Sequence, residues 1–228
     1  MRRQPARGLQ ESFRKGYFCR QPMYIKTFTM QPFGVNSYLA WTDAGAAVVV
    51  DCGGEPKRLW HEIGVRGLRL AAILLTHLHP DHVVGVAELV GLSKAPVYAS
   101  TADAMLAAQE SYSAQGAMVP VPPFAYKAIN PGRAAFLGEP CLVLPVPGHT
   151  PGHLVYFFPR SLAAFTGDTI FRGNVGRTDS SYGNADLLLD SIRERILILP
   201  DAVELFPGHG PSTTVGREKA ESPFFASQ

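Results

Sequence analysis

The sequence has few cysteines and no long hydrophobic run, and each of these features argues against one class of protein. Its cysteines are Cys19, Cys52 and Cys141, and none belongs to a Cys-x-x-Cys pair. This odd, scattered set predicts neither a disulfide framework nor a cysteine zinc site, and it favours a reducing, cytoplasmic location. No run of about 18 apolar residues occurs, so the sequence predicts no membrane span. At Cys52 we expect a small buried side chain rather than a redox group.

The chain also lacks a marked excess of charge of one sign. Its formal net charge is +2, which favours neither nucleic acid nor a membrane surface as a partner. Residues 1–22 hold six basic residues and one acid, a net +5, which leaves −3 for residues 23–228. Without an apolar core, residues 1–22 do not form a secretory signal. We expect a basic, disordered N-terminal extension or a true start at Met23, with a transit peptide as an alternative, followed by a single domain over 23–228.

Histidines number seven, and five of them fall in one constellation with two aspartates. The constellation comprises His77, His79, Asp81, His82, His149, Asp168 and His209. The first four follow the apolar run Ala72–Leu75 at a predicted junction of strand and helix, which can aim side chains into one pocket. Neutral imidazoles and carboxylates are ligands for Zn, Mn or Fe. The pattern therefore predicts two adjacent divalent ions, about 3.5–4 Å apart as in other binuclear hydrolytic sites.

Other polar residues near the constellation have simpler interpretations. Asp168 alone would suit a helix N-cap, but the segment after it has no helical pattern, which favours a ligand. We expect His153 to support the ligands rather than to join them, and Asp51 to be a candidate hydrogen-bond partner of a ligating imidazole. His61 lies in a predicted surface helix, where a solvated side chain is expected.

Strand-like segments outnumber helical ones along the chain. Strands are predicted at Tyr24–Thr29, Ser37–Trp41, Ala46–Val50, Ala72–Leu75, Leu142–Val146, Leu154–Phe158, Ala163–Thr166 and Val203–Phe206. Helices are predicted at Pro56–Ile63, Val83–Val90, Thr101–Glu110 and Ala185–Leu197. Turn residues bound most of these segments, and candidate ligands lie on loops in both halves of the chain. The pattern predicts an α+β domain.

Two long loops are candidates for contact with a substrate. Residues 111–133 are rich in proline and are predicted to be a long structureless connection, which is typical of a lid, a binding loop or a disordered segment. Its apolar residues either line a substrate slot or cover the core. The apolar residues concerned are Tyr112, Met118, Phe124 and Tyr126. Residues 171–184 follow Asp168 directly and are expected to lie near the metals. In this loop Arg177 could contact a substrate carboxylate, or it could form an ion pair with Asp179 or Asp186.

At its motifs the chain resembles the metallo-β-lactamase superfamily, and within it the glyoxalase II-like branch, including short bacterial forms without a C-terminal glutathione-binding domain. The resemblance covers about residues 24–225. It is carried by Phe33–Leu39, Val48–Gly54, the motif Thr76–His82, Phe165–Phe171, Gly173–Asp179 and Phe206–Gly216. It implies a four-layer αββα sandwich. It also implies that His77, His79 and His149 hold one metal ion, that Asp81, His82 and His209 hold the second, and that Asp168 bridges them.

The same resemblance implies a hydrolase that acts on a small acyl-thiol, such as a hydroxyacylglutathione. No Ser-His-Asp arrangement occurs, so the expected nucleophile is a metal-bridging hydroxide. Zn is the favoured metal, with Fe or Mn as alternatives. Asp81 is a possible proton acceptor, and Arg177 is a possible contact for a substrate anion.

Two alternatives stay open at this point. One is a glutathione persulfide dioxygenase of the same fold, whose single iron would use His77, His149 and Asp168. The other is a non-catalytic binding protein, which the intact ligand set does not favour. A monomer and a homodimer are both compatible with the sequence.

Overall fold

The computed structural model of the protein describes residues 23–107, 111–114 and 117–226. The predicted extension, residues 1–22, lies outside this part of the chain. The strands are β1 (Tyr24–Met30), β2 (Val35–Trp41), β3 (Ala46–Val50), β4 (Arg69–Leu74), β5 (Val97–Ala99), β6 (Ser111–Ala114), β7 (Ala117–Pro120), β8 (Lys127–Ala128), β9 (Gly132–Phe136), β10 (Glu139–Pro145), β11 (Leu154–Phe158), β12 (Ala163–Gly167), β13 (Ile170–Phe171), β14 (Asn174–Val175), β15 (Glu204–Pro207) and β16 (Thr213–Thr214).

Helices connect the strands in both halves of the chain. They are α1 (Pro56–Val65), α2 (Pro80–Val83), α3 (Val86–Ser93), α4 (Ala104–Ala107), α5 (Ala185–Arg195) and α6 (Val215–Glu221), and a 3₁₀ turn at Thr101–Asp103 precedes α4. Asn184 caps α5, because its Oδ1 accepts a hydrogen bond from the backbone N–H of Leu187 at 2.9 Å. None of the helices in the described part of the chain has the length and apolar character that a bilayer crossing requires.

Two six-stranded sheets form the centre of the fold. The first has the strand order β1-β2-β3-β4-β5-β8 and the second the order β16-β15-β12-β11-β10-β9. In the first sheet β3, β4 and β5 are parallel to one another, and in the second β12 and β15 are parallel. Chain segments that follow parallel neighbours leave their sheet at the same edge, so the loops after β12 and β15 can contribute side chains to a common site there.

The apolar strands bury both of their faces, which explains their nearly continuous hydrophobic sequences. In β11, Tyr156 and Phe158 point into the core between the two sheets, whereas Val155 and Phe157 face α5. In β3, Val48 and Val50 also enter the core between the sheets. Because side chains alternate along a strand, each sheet separates two apolar layers. The resulting four-layer αββα sandwich confirms the predicted α+β fold.

Part of the predicted loop at residues 111–133 is regular structure. β6 and β7 pair as an antiparallel hairpin, and β8 adds a short edge to the first sheet. Hairpin pairing satisfies backbone groups that a structureless loop would leave to water, so the prediction of an entirely irregular loop was wrong. Phe124 and Tyr126 are partly buried and pack against the core cluster of the first sheet, which agrees with the alternative that these residues cover the core. The side chains of Tyr112 and Met118 lie outside the described part.

The structure divides two of the predicted helices, and the helix predicted over Ala185–Leu197 ends at Arg195. The helix predicted from Val83 is divided into α2 and α3, because the N–H of Gly85 donates to the carbonyl of Cys52 instead of continuing the helix. The helix predicted over Thr101–Glu110 is a 3₁₀ turn followed by α4, and residues 108–110 are outside the described part. Cys52 is buried as predicted, and burial raises the pKa of its thiol to about 12.

Ile192→Ala should lower the free energy of unfolding by about 2–5 kcal/mol, because the change leaves a cavity between α5 and the second sheet. Ile192 is fully buried there. The measurement is urea denaturation followed by circular dichroism. Leu187→Ala on the same helix is the matched control: Leu187 is 45% exposed, so its replacement should change stability by no more than about 0.5 kcal/mol. Equal losses in the two variants would contradict this packing.

Candidate metal centre

The structure brings the seven residues of the sequence constellation to one edge of the sandwich. His77 and His79 follow β4, Asp168 follows β12 and His209 follows β15. Backbone hydrogen bonds join the two halves at this edge, since the N–H of Asn36 donates to the carbonyl of Gly208 at 2.7 Å. Side chains from both halves of the chain therefore meet in fixed positions.

Three imidazoles form the first group. Nδ1 of His79 lies 3.0 Å from Nε2 of His77 and 2.9 Å from Nε2 of His149, and the two Nε2 atoms are 3.3 Å apart. Three ring nitrogens that face one another can share at most a proton or two between them. A cation, in contrast, accepts the lone pairs of all three.

Asp81, His82 and His209 form the second group. Oδ2 of Asp81 lies 3.5 Å from Nε2 of His209 and 3.9 Å from Nε2 of His82. Asp81 and His82 occupy the single turn of α2, which begins at Pro80 and presents both side chains towards the same space. The donor set of one carboxylate and two imidazoles suits a divalent ion.

The carboxylate of Asp168 lies between the two groups. Its Oδ1 is 3.3 Å from Nε2 of His82, and its Oδ2 is 3.8 Å from Nε2 of His149 and 3.7 Å from Nε2 of His209. Nε2 of His82 and Oδ1 of Asp168 are buried and have no hydrogen-bond partner within the described residues. Buried polar atoms without partners are costly, so these two atoms also fit a bound cation.

Each imidazole also has a partner at its outward nitrogen. The sequence prediction for Asp51 is confirmed, since its Oδ2 lies 2.8 Å from Nδ1 of His82. The outward nitrogens of the other four imidazoles contact Thr76 Oγ1 (from His77, 3.1 Å), Tyr182 Oη (from His79, 2.8 Å), the Arg177 carbonyl (from His149, 2.7 Å) and the Gly34 carbonyl (from His209, 3.3 Å). Such partners fix the ring orientation and the tautomer of metal ligands.

Burial and charge favour ligand forms in most of the cluster. Burial, followed by the neighbouring imidazoles, lowers the pKa of His77 well below its usual value. Burial and the neighbouring His149 lower the pKa of His79 to about 4. Burial alone would raise the pKa of Asp168, but the charge on the neighbouring His82 lowers it. Neutral imidazoles and an ionised carboxylate at neutral pH are the forms that bind metal.

Like His209, and unlike His77 and His79, His82 has a raised pKa. Burial would lower its pKa, but Asp168 and Asp51 together raise it well above the usual value. Without a bound cation, the two carboxylates therefore favour the protonated form of His82. A cation at this position would compete with that proton, so metal binding is expected to release it.

His153 and Arg177 lie beside the cluster. His153 is buried, and its Nε2 accepts the backbone N–H of Asp168 at 3.0 Å, which agrees with the predicted supporting role. Nε of Arg177 lies 3.3 Å from Oδ1 of Asp179, one of the two ion pairs considered from the sequence, and both side chains are largely exposed. The loop 171–184 lies near the ligands as expected, through the contacts of Arg177 and Tyr182.

Sequence patterns missed two residues that shape the cluster. Asp103 is buried, and it accepts hydrogen bonds from Thr150 Oγ1 at 2.8 Å and from the Gly152 N–H at 2.6 Å, which holds the loop of His149. At Gly208 a Cβ would lie 2.1 Å from Oδ1 of Asp168, so any larger residue would collide with the cluster. Neither residue carried a signal, because a helical aspartate and a turn glycine are both common.

Residues 30–209 match the family model of the metallo-beta-lactamase superfamily. Hydroxyacylglutathione hydrolase GloC of Haemophilus influenzae is 35% identical over 215 residues, which cover 90% of this chain and all of GloC.

Two solved structures are also similar. TTHA1623 in a di-iron-bound form has a TM-score of 0.80 and 38% identity, with 88% of this chain and all of TTHA1623 covered. ETHE1 from Myxococcus xanthus has a TM-score of 0.73 and 25% identity, with 88% of this chain and 83% of ETHE1 covered. Fold, family model and full-length similarity to GloC agree, and the chain belongs to the metallo-beta-lactamase superfamily of metallo-hydrolases.

Proposed function

We propose that the protein is a metal-dependent thioester hydrolase of the hydroxyacylglutathione hydrolase type. The observation that carries the proposal is the placement of two separate ligand groups on either side of the Asp168 carboxylate. The end-to-end similarity to GloC supports the substrate class. An acyl-thiol substrate places one carbonyl and one leaving sulfur within reach of two adjacent cationic positions.

In this proposal His77, His79 and His149 would hold one divalent ion and Asp81, His82 and His209 would hold the other, and the carboxylate of Asp168 would be available to both. The bound ions would supply a hydroxide nucleophile at neutral pH and polarise the acyl carbonyl. Zn is the favoured metal, with Fe and Mn as alternatives. The similarity to TTHA1623, solved with two irons, makes iron the first alternative to test.

The chain's own residues then orient the substrate and take up protons. Burial alone would raise the pKa of Asp81, but the hydrogen bond from His209 and the charge on His82 lower it. Asp81 is therefore ionised at neutral pH, and its carboxylate could accept the proton of the attacking water. Arg177 is exposed at the rim, where its guanidinium could exchange Asp179 for a substrate carboxylate.

The full chain loaded with Zn, Fe or Mn should hydrolyse S-D-lactoylglutathione, lose the activity on chelation and regain it when the metal is returned. The assay is the loss of thioester absorbance, with a panel of other acyl-thiols and one β-lactam for comparison. If no thioester is turned over in any metal form, the proposed substrate class is wrong.

A mononuclear-iron persulfide dioxygenase is the second candidate. The similarity to ETHE1 favours this candidate. The three residues that would hold the iron also lie together, because Nε2 of His149 is 3.3 Å from Nε2 of His77 and 3.8 Å from Oδ2 of Asp168. Oxygen consumption with glutathione persulfide separates the candidates. Oxygen consumption by a protein with one iron per chain would favour the dioxygenase over the hydrolase. Two bound ions and thioester hydrolysis without oxygen consumption would support the hydrolase.

A further inference from the structure

The imidazoles of His77, His79 and His149 are held from behind by two different kinds of partner. His77 contacts Thr76 at the buried end of β4, and Oγ1 of Thr76 in turn donates to Asp51 at 2.8 Å. His79 and His149 instead contact the loop 176–183, through Oη of Tyr182 and the carbonyl of Arg177. Two of these three rings are therefore oriented by a single loop that begins after β14.

The contact between Tyr182 and His79 has a defined direction. Nδ1 of His79 faces Nε2 of His77 and Nε2 of His149, at 3.0 and 2.9 Å. A ligand nitrogen must be free of its proton, so the proton of a neutral His79 ring resides on Nε2. That N–H then donates to Oη of Tyr182 across 2.8 Å, which selects the tautomer and fixes the ring plane.

The loop is anchored at both ends. The N–H of Gly176 donates to the carbonyl of Thr169, and a Cβ on Gly176 would lie 1.8 Å from the carbonyl oxygen of Asp168. At the other end the N–H of Asn184 donates to the carbonyl of Gly148 at 2.8 Å. Between these anchors the carbonyl of Arg177 contacts His149, whereas its side chain is largely exposed and pairs with Asp179. The loop thus has an inner side on the ligands and an outer side towards solvent.

We propose that Tyr182 is a positioning residue for the metal centre. Through Tyr182 and the Arg177 carbonyl, the loop 176–183 sets how tightly the group of three imidazoles binds its ion. The inference rests on the proposed function, since it needs a metal at this group. Binding equilibria are reciprocal. If a substrate bound to the outer side of the loop changes the affinity for the metal on the inner side, the metal changes the affinity for the substrate by the same factor.

Tyr182→Phe tests the proposal, because it removes the acceptor oxygen and keeps the ring. The full-length variant should bind zinc about 10- to 100-fold more weakly than the wild type in competition with a chromophoric chelator. Hydrolysis should recover as zinc is raised, since the ligands themselves remain. Tyr98→Phe is the matched control: Tyr98 is half-buried in β5, where its ring packs on Phe136 at 5.8 Å, and its zinc affinity should equal that of the wild type.

A second measurement addresses the proton itself. Long-range ¹H–¹⁵N spectra of the zinc-loaded wild type should show His79 protonated at Nε2, with the proton protected from exchange. In Tyr182→Phe the same proton should exchange faster with solvent. His79 protonated at Nδ1, or identical exchange in the two proteins, would overturn the proposal.

The zinc titration needs no substrate, which separates this inference from the proposed function. Weaker zinc binding by Tyr182→Phe supports the inference even if no thioester is hydrolysed. Equal zinc affinity in the wild type, Tyr182→Phe and Tyr98→Phe overturns it, whatever the outcome of the hydrolase assay. Circular dichroism of each variant shows that the fold is retained.

Discussion

Asp168→Asn is expected to remove most of the hydrolytic activity and to lower the metal content from two ions per chain towards one. The carboxylate is within 3.3–3.8 Å of nitrogens from both ligand groups, and an amide offers a single neutral oxygen in its place. The loss should exceed the roughly 100-fold that follows from changes in the outer partners of metal ligands. Metal analysis after dialysis and kcat/KM on the best thioester measure both effects.

Asp190→Asn is the matched control for this variant. Asp190 is exposed on α5 and forms an ion pair with Arg193 at 3.2 Å, so its replacement should leave metal content and activity unchanged. An Asp168→Asn protein that retains two ions and wild-type activity would contradict a shared role of Asp168 in both groups.

Gly208→Ala should damage the same centre by steric conflict alone. The added Cβ would lie 2.1 Å from Oδ1 of Asp168 and 2.6 Å from Cε1 of His82. The backbone has little freedom to move away, because the N–H of Gly208 donates to the carbonyl of Gly167 and its own carbonyl accepts from Asn36. We expect weaker metal binding and a large loss of kcat/KM, with a loss of stability of about 1–3 kcal/mol typical of overpacking.

Gly91→Ala provides the comparison for this change. Gly91 lies in α3 with nothing within 4 Å of an added Cβ, so alanine should keep full activity and add up to about 1 kcal/mol of helix stability. Chelator competition, steady-state kinetics and urea denaturation should be run on both variants. Two bound ions and full activity in Gly208→Ala would mean that the loop of His209 is not as rigid as the structure indicates.

The fold class and the candidate ligands could both be predicted from the sequence, each for a physical reason. Strands such as β3 and β11 are apolar on both faces, and this pattern requires a layer on each side of the sheet. The ligand candidates stand in turn-rich segments at strand ends, where no helical or strand period explains an imidazole. Local residue type therefore marked the positions that the structure brings together, and the family resemblance assigned them to two groups.

The residues that orient the ligands could not be found in the same way. Tyr182 is 103 positions from His79, and Asp103 is 47 positions from Thr150. Their roles depend on tertiary contacts that leave no trace in local composition. The hairpin of β6 and β7 was missed because prolines suggested an irregular loop, although pairing along the hairpin satisfies the backbone. For the same reason Gly208 becomes informative only when its neighbours in space are known.

Diffraction data collected at metal absorption edges, from crystals of the full-length protein purified without chelator, test the central claim most directly. The account predicts two ions per chain, one among His77, His79 and His149 and the other among Asp81, His82 and His209, with Asp168 in contact with both. A single iron held by His77, His149 and Asp168, or side chains turned away from one another with no ion between them, would contradict it.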